Sequence, residues 1–355
     1  MVAALNPPEM FDDASGSRRG IRNEAAHGGK PADAVLVVRP SSLGDIIHAL
    51  TLVADVRAHR PELALDWVVE SGFAPLVGLH PGVRRAIPVG FRRWRHQLLA
   101  PSTWREFAEF RRALRSEKYV AVLDLQEQVK GAFIASMARG VLHGPDRASI
   151  REPVATLLHD RHHAIDPNQH LIDRCRQLAA ASLGYKVDGP PVFGLVAPEL
   201  RQPANAPWLN RYVVFVHGTS RADKLWPEAH WRRLIAKMAS LQLAVVLPWG
   251  NDDELRRSER LARGFTNAHV PPPPRHSLPT LAGLLAGAAL VVGVDTGLVH
   301  LAAALGAPTV SLFVATDPLL CGVGRAGGHA RDLGGAGAPP AVEAVECTVV
   351  ALMAR

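Results

Sequence analysis

The chain has 355 residues, of which 48% are hydrophobic and 21% charged, and its formal net charge is +7. This length allows one large core but divides more naturally into two domains, and the charge favours an acidic partner such as a nucleotide, an anionic sugar, a membrane surface or a nucleic acid. A merely soluble basic protein is the plain alternative. The three cysteines, at 175, 321 and 347, are an odd number without metal-ligand spacing, which argues against a disulfide framework or a zinc site and favours the cytoplasm.

Two segments resemble targeting or membrane sequences only superficially. Residues 1–30 lack the apolar core of a signal peptide, and we expect a disordered N-terminal extension. The segment Thr296 to Thr316 contains no Asp, Glu, Lys or Arg, yet His300 and the breaker Gly306-Ala307-Pro308 favour a buried helix, a turn and a strand. Membrane contact is therefore expected to be peripheral at most.

The first half of the chain alternates strand and helix patterns. Predicted strands are Val35–Val38, Leu65–Val69, Ala86–Val89 and Val120–Leu123, and predicted helices are Ile46–Arg60, Trp104–Arg115 and Asn168–Leu183. This alternation is typical of a parallel sheet covered on both faces. We predict a first domain over 31–190 and a proline-rich linker over 191–207.

The second half repeats the same alternation. Predicted strands are Tyr212–Val216, Ala244–Leu247, Leu290–Val294 and Thr309–Phe313, and predicted helices are His230–Ser240, Asp252–Gly264, Leu278–Ala286 and Leu298–Leu305. The glycine-rich stretch Gly322–Gly337 is interpreted as a loop. We predict a second domain over 208–340 and a C-terminal segment over 341–355, in which Ala341–Leu352 can form a helix despite its β-branched residues.

The first strand ends in a polar, glycine-containing junction, Ser41-Ser42-Leu43-Gly44-Asp45. In open α/β sheets, ligands bind at the carboxyl ends of strands and at helix N-termini. Asp45 can accept a proton from a sugar hydroxyl, while Ser41, Ser42 and the amide of Gly44 hold an anionic group. The alternative is that Asp45 only caps the following helix.

The loop after the strand Tyr212–Val216 combines hydroxyls, amides and a cation suited to a pyrophosphate. Thr219 and Ser220 supply the hydroxyls, and Lys224 supplies a point charge for a departing phosphate. A plain surface loop is the alternative. The spacing is not that of a Walker loop, and no GxGxxG follows either first strand, so kinase and dehydrogenase functions lose their main support.

A second strand-end cluster, Asp295-Thr296-Gly297, opens the next predicted helix and is the other phosphate candidate. His300 lies one turn further on the same face, where a satisfied core histidine is the alternative to a ligand contact. Glu254 can bridge two ribose hydroxyls, or it can be a solvated residue on a helix face.

Basic residues in the first half are candidates for an anionic acceptor. Arg92, Arg93 and Arg95 surround Trp94, and Arg151 precedes Glu152. Runs of basic residues such as these are more often solvated surface than binding sites. The sixteen histidines lack metal spacing and no Asp-x-Asp occurs, so no metal is expected.

An ordered set of motifs resembles the ADP-heptose heptosyltransferases of lipopolysaccharide core assembly. The set runs from about Val35 to Gly324 and comprises Ser41–Asp45, Asp66–Glu70, Arg92–Arg95, Arg151–Pro153, Asp223–Pro227, Leu247–Gly250, Val294–Leu301 and Thr316–Pro318. The motifs Arg92–Arg95 and Arg151–Pro153 favour the subgroup that adds the first heptose over the one that adds the second.

The resemblance implies an α/β GT-B fold, two facing Rossmann-like domains with acceptor on the first and sugar nucleotide on the second. It implies transfer of L-glycero-D-manno-heptose from ADP-heptose to a Kdo residue of Kdo2-lipid A, with inversion and without a cofactor or an obligatory metal. Asp45 falls on the catalytic base. Thr219, Ser220, Lys224, Glu254, Asp295, Thr296, Gly297 and His300 fall on the donor site, and acceptor contacts are expected at Ser41, Ser42, Gly44, Arg92, Arg93, Arg95 and Arg151.

Two other functions remain open from the sequence. One is a related glycosyltransferase with another sugar nucleotide or core acceptor, and the other is a non-catalytic nucleotide-sugar-binding protein. Nucleic acid is not expected as a partner, because no aromatics interleave a basic stripe. The expected location is cytoplasmic, in peripheral contact with the anionic inner membrane.

Overall fold

The computed structural model describes residues 33–200 and 211–354. The predicted extension 1–30 and part of the predicted linker, residues 201–210, lie outside the described residues. The described chain forms two parallel six-stranded sheets with helices on their faces. In each sheet the central strands are short, β-branched and fully buried, as expected when helices cover both sides.

The first sheet has the strand order β3-β2-β1-β4-β5-β6, and all of its pairings are parallel. Its strands are β1 (Ala34–Val38), β2 (Ala64–Glu70), β3 (Val83–Val89), β4 (Tyr119–Asp124), β5 (Leu142–Pro145) and β6 (Arg161–His163). Its helices are α1 (Leu43–His59), α2 (Ala74–Val77), α3 (Phe91–Trp94), α4 (Pro101–Leu114), α5 (Val129–Ser136) and α6 (Leu171–Leu183).

The second sheet repeats this topology, with the order β9-β8-β7-β10-β11-β12. Its strands are β7 (Tyr212–Val216), β8 (Ala244–Val246), β9 (Ala268–His269), β10 (Leu290–Val294), β11 (Thr309–Phe313) and β12 (Ala330–Gly334). Its helices are α7 (Glu228–Ser240), α8 (Asp252–Ala262), α9 (Leu278–Ala286), α10 (Gly297–Ala304), α11 (Pro318–Cys321) and α12 (Val342–Met353).

In both sheets the strand order therefore reverses beside the first strand. Such a topological switch point is where open α/β sheets bind ligands. In the first sheet it lies between β1 and β4, and in the second between β7 and β10. The segments that follow β1, β7 and β10 carry Asp45, in the first turn of α1, and Lys224 and Asp295 in the second domain.

Helix α1 is the element on which the first domain and the interdomain contact are both built. It is buried along most of its length because its apolar residues face β1, α6 and α10. A buried ion pair fixes it to α6: Arg176 Nε and Nη2 donate to the two carboxylate oxygens of Asp55 at 2.7 and 2.8 Å. Removing one partner of such a pair costs about 3–5 kcal/mol, so α1 is held rigidly.

The strands predicted with β-branched runs and the main helices are confirmed, with boundaries shifted by a few residues. The interpretation of Gly322–Gly337 as a loop is wrong in part, because β12 pairs in register with β11 along the sheet edge. Short strands β5, β6 and β9 and helix α5 were not predicted. Within the described residues, no helix is long and apolar enough to cross a membrane.

Candidate active site

The two glycine-containing junctions face each other across the two domains. Helices α1 and α10 pack together at their N-terminal ends. A Cβ on Gly44 would lie 3.0 Å from the ring of His300, and a Cβ on Gly297 would lie 2.6 Å from the side chain of Leu43. Both glycines therefore permit a close approach of the two domains that a larger residue would obstruct.

Asp45 lies in the first turn of α1 and is both a cap and an accessible carboxylate. The Ser42 amide donates to Asp45 Oδ2 at 3.0 Å, and Arg39 Nη2 lies 3.1 Å from the same oxygen. The side chain remains 36% exposed. The capping alternative is therefore real, but the carboxylate is also exposed enough to accept a proton from a ligand.

The pKa of Asp45 is lowered from its ordinary value. Burial alone would raise it, but the Arg39 guanidinium and the hydrogen bonds from Ser42 outweigh burial. Arg39 is itself buried and donates from Nη1 to the Leu125 carbonyl. Asp45 is thus a fixed, ionised carboxylate at neutral pH, and the sequence analysis did not foresee that Arg39 orients it.

Asp295 is the hub of the polar network in the second domain. Lys224 Nζ lies 2.5 Å from Asp295 Oδ2, and the Thr316 hydroxyl donates to the same oxygen at 2.7 Å. His300 Nε2 lies 3.1 Å from Oδ1. Burial by itself would raise the pKa of Asp295, but His300, Lys224 and Thr316 together hold it well below the ordinary value.

His300 also connects the second domain to the first. Its Nδ1 lies 3.2 Å from Nε2 of His48, and His170 lies beside His48 with ring centroids 5.3 Å apart. Burial and the neighbouring His300, His170 and Arg39 lower the pKa of His48 well below its ordinary value, so it stays neutral. The hydrogen bond between His300 Nδ1 and His48 Nε2 carries one proton, whose position depends on the tautomers of the two rings.

The remaining donor candidates lie around the loop after β7. The carboxylate of Glu254 accepts from the Gly250 amide at 2.7 Å, and a Cβ on Gly218 would lie 2.6 Å from its carboxyl carbon. Gly218 directly precedes Thr219, which is half-buried, and Ser220, which is exposed. Thr296 is the N-cap of α10, and its hydroxyl makes no capping hydrogen bond. The structure brings these candidates to one edge of the second sheet.

The basic candidates of the first domain are exposed, but they are not equally free. Arg93 pairs with Glu106, whereas the guanidinium of Arg92 lies 5.6 Å from the ring centre of Phe73. Arg95 Nε lies 3.0 Å from a ring nitrogen of His96. Arg151 is exposed. Arg93 is therefore the member of this set that must give up an existing ion pair to meet an anion.

Lys130, at the start of α5, is a basic residue that the sequence analysis missed. Burial, and then the positive charges of Arg92 and Arg151, lower its pKa. Mutual influence of this kind requires the three cations to lie near one another, on connections that follow β3, β4 and β5. No sequence pattern marks Lys130, because its neighbours are 38 positions before it and 21 after it.

The described residues contain no group of three or more His, Cys, Asp or Glu side chains that could hold a metal ion. The three cysteines are unpaired; Cys175 is buried in the first domain and Cys347 is exposed on α12.

The chain has two Rossmann-like domains that face each other. One carries a carboxylate, and the other carries a cation and a helix N-terminus. This arrangement defines a glycosyltransferase of the GT-B class. The chain belongs to glycosyltransferase family 9, the heptosyltransferases, whose profile matches residues 107–326. The fold class and the family expected from the sequence motifs are thereby confirmed.

Characterised relatives cover most of the chain. Lipopolysaccharide heptosyltransferase 1 of Escherichia coli K12 is 44% identical over 290 residues, which is 81% of this chain and 90% of the relative. The protein of the same name from Pseudomonas aeruginosa is 42% identical over 297 residues, covering 83% of this chain and 82% of the relative.

Solved structures agree with these relatives. The E. coli heptosyltransferase WaaC with ADP superimposes with a TM-score of 0.80 at 38% identity, covering 90% of this chain and 99% of that one. The same enzyme with ADP-2-deoxy-2-fluoro heptose gives a TM-score of 0.77. E. coli heptosyltransferase II, at 19% identity and a TM-score of 0.68, shares the fold.

Proposed function

We propose that this glycosyltransferase moves L-glycero-D-manno-heptose from ADP-heptose to a Kdo residue of Kdo2-lipid A, with inversion at the anomeric carbon. The observation that carries the proposal is the position of Asp45, on the first domain, at the seam opposite Lys224, Asp295 and His300 of the second. A base on one side and cationic groups on the other are what an in-line displacement needs.

The reaction divides between the two domains. The Asp45 carboxylate removes the proton from the attacking acceptor hydroxyl, whose oxygen bonds to the anomeric carbon as the bond to the diphosphate oxygen breaks. ADP leaves with the electron pair of that bond. Lys224 and the amides at the N-terminus of α10 balance the negative charge that develops on it, and Glu254 holds the ribose hydroxyls.

Lys224 has two possible anionic partners during this cycle. In the described structure it pairs with Asp295, whose carboxylate is also hydrogen-bonded to Thr316 and His300. When a diphosphate enters, the same ammonium has further donors to offer, because a lysine carries three N–H groups. Asp295 therefore positions Lys224 at the donor site and does not need to release it.

The second domain supports ADP-heptose as the donor, because the relatives solved with ADP and with a fluorinated ADP-heptose share its fold. The acceptor rests on the exposed Arg92, Arg95 and Arg151 and the half-buried Lys130, whose charges suit the carboxylates and phosphates of Kdo2-lipid A. Such an acceptor is a membrane lipid, so we further propose a cytoplasmic enzyme that binds the inner membrane peripherally.

The decisive experiment supplies purified protein with ADP-heptose and Kdo2-lipid A and follows ADP release together with the mass of the lipid product. We expect ADP release to depend on acceptor and the product to gain one heptose. Release with another sugar nucleotide but not with ADP-heptose would favour a different donor. Release without any mass gain on the lipid would favour a different acceptor, and tight binding with no release would indicate a non-catalytic protein.

A further inference from the structure

Large apolar side chains are exposed on connections that leave the carboxyl edge of the first sheet. Leu99 is 97% exposed, Leu157 81% and Trp104 59%, and Leu98 is also exposed. Leu98 and Leu99 lie between α3 and α4, after β3, and Leu157 lies in a short helical turn after β5. Single exposed leucines need no explanation, but several on one edge of a sheet do.

Leu98, Leu99 and Trp104 form a local unit, which we call the wedge. Trp104 Nε1 donates to the carbonyl of Leu98 at 2.8 Å, so the indole holds the loop while its own polar group is satisfied. The Trp104 ring meets Phe107 edge to face, with centroids 6.3 Å apart. The wedge is therefore fixed from beneath by the aromatic residues of α4, and its leucines point away from the domain core.

Cations lie on the same edge of the sheet as the wedge. Arg92, Arg95, Lys130 and Arg151, which we call the basic rim, follow β3, β4 and β5. Arg95 lines the same surface cavity as Leu98 and Leu99, and Lys130 is close enough to Arg92 and Arg151 for their charges to act on it. An apolar tip beside clustered arginines and lysines complements a surface whose outer layer is phosphate and whose interior is hydrocarbon. A second protein would need acidic and apolar groups in the same alternation.

We propose that the wedge inserts into an anionic lipid bilayer while the basic rim meets lipid phosphates, so that the membrane docks against the edge that holds Asp45. This deepens the proposed function by naming the residues that bind the membrane. Docking in this orientation would present the acceptor-binding edge to the headgroup of a lipid acceptor without lifting that lipid out of the bilayer.

The test measures co-sedimentation of the full chain with vesicles that contain no acceptor. Vesicles of phosphatidylcholine with phosphatidylglycerol are compared with phosphatidylcholine alone, for the wild type and for L98S/L99S. Removing a leucine from a bilayer weakens partitioning by about tenfold or more, and the double substitution therefore by roughly a hundredfold. The wild type should prefer the anionic vesicles, and salt should release it.

The second domain offers a matched control, because Leu319 and Leu320 form another exposed leucine pair, with Leu319 79% exposed. The L319S/L320S variant should bind anionic vesicles like the wild type. Equal binding by the wild type and L98S/L99S, or equal losses in the two double variants, would overturn the proposal. If L98S/L99S expresses poorly, L99S alone decides, because this side chain contacts almost nothing in the fold.

Transfer assays separate this proposal from the proposed function. With acceptor embedded in vesicles, L98S/L99S should transfer heptose at least tenfold more slowly than the wild type, and with detergent-dispersed acceptor the two should be within about twofold. A wild type that transfers heptose in detergent but ignores anionic vesicles would contradict the wedge and leave the enzyme assignment standing. A wild type that binds vesicles but never transfers heptose would support the wedge and contradict the enzyme assignment. Equal slowing of the variant in both assays would place the wedge in the acceptor site and overturn membrane insertion.

Discussion

The carboxyl edges of the two sheets have the same topology but differ in whether their polar side chains are already bonded to one another. On the second sheet, Lys224, His300 and Thr316 all bond to the buried Asp295 before any ligand arrives. On the first sheet, Arg92 and Arg95 are exposed. A donor edge whose dipoles are already fixed costs little reorganisation during the reaction, whereas an open acceptor edge can accommodate a large lipid.

Asp45 belongs to the acceptor edge by sequence but resembles the donor edge in its environment. It is fixed by Ser42 and Arg39, and the preceding residue, Gly44, lies against the ring of His300. The reacting groups of both domains are thus preorganised, and only the acceptor-recognition residues are left open. Six measurements test this contrast.

The largest effect is expected for Asp45→Asn, which keeps the shape of the side chain but removes the base. A positioned general base contributes about 10²–10⁴-fold, so the turnover number should fall by that factor. Donor affinity should change little, because the proposed ADP-heptose site lies on the other domain. Asp166→Asn, an exposed residue of the same domain, is the control.

The pH profile adds a second test of Asp45. Because its folded pKa is lowered from 3.8, the carboxylate stays ionised as pH falls from 8 to 5. Its ion pair with Arg39 also stabilises the fold in this range, and that contribution is lost only as pH falls through the lowered pKa. An acid limb of the rate near neutral pH that disappears in Asp45→Asn would contradict the environment described for this residue.

Lys224→Ala should have the next largest effect, on both donor affinity and turnover. Removing one group that stabilises charge developing in the transition state typically costs about 10²–10³-fold in turnover. It also leaves Asp295 without its cation. Lys237→Ala, on the neighbouring helix α7, controls for net charge. An unchanged turnover number with weakened ADP binding would mean that Lys224 serves the ground state alone.

Neutralising Arg92, Arg93 and Arg95 together, each to Gln, should raise the KM for acceptor by about tenfold or more, since charge-assisted hydrogen bonds contribute roughly 1.5–3 kcal/mol each. The salt dependence of that KM should flatten as well. Arg93→Gln alone should do least, because Arg93 is already paired with Glu106. A fall in donor affinity would show that these arginines do not belong to the acceptor edge.

The sequence predicted secondary-structure elements better than it predicted tertiary contacts. Strands β1, β7, β10 and β11 were predictable because buried parallel strands are continuous apolar runs. The short strand β5 (Leu142-His143-Gly144-Pro145) and the edge strand β12 (Ala330–Gly334) were not, since their residues lack such a pattern and pairing is imposed by the neighbouring strands. Tertiary context outweighs local propensity at such positions.

The same limit applies to the site. Asp45, Lys224 and Asp295 were recognisable because each follows a strand in a polar cluster. Their supporting residues were not, because Arg39 precedes its cluster and His48 lies inside a helix, 252 positions from its partner His300. No local spacing records a contact across two domains.

A smaller effect is expected at His48, which we regard as a positioning residue for His300. His48→Leu removes the hydrogen bond to His300 Nδ1 and should cost about fivefold in turnover, the equivalent of one hydrogen bond of about 1 kcal/mol. His48→Gln can place an N–H near the same position and should recover most of the rate. Equal losses in the two variants would indicate that His48 acts through packing alone.

The smallest effect is expected from removing divalent cations. Lys224, the helix N-terminus at Thr296 and the amides of the loop after β7 can balance the charge of the leaving diphosphate, and the described residues offer no cluster of metal ligands. Turnover in excess chelator should therefore stay within about twofold of the untreated rate, because cationic and amide donors substitute for a metal clamp. The acceptor is dispersed in detergent for this test, so that loss of cations bridging lipid phosphates does not alter its presentation. A turnover that collapses in chelator and returns only with Mg²⁺ would break the contrast drawn here, because the donor edge would then be incomplete without an ion.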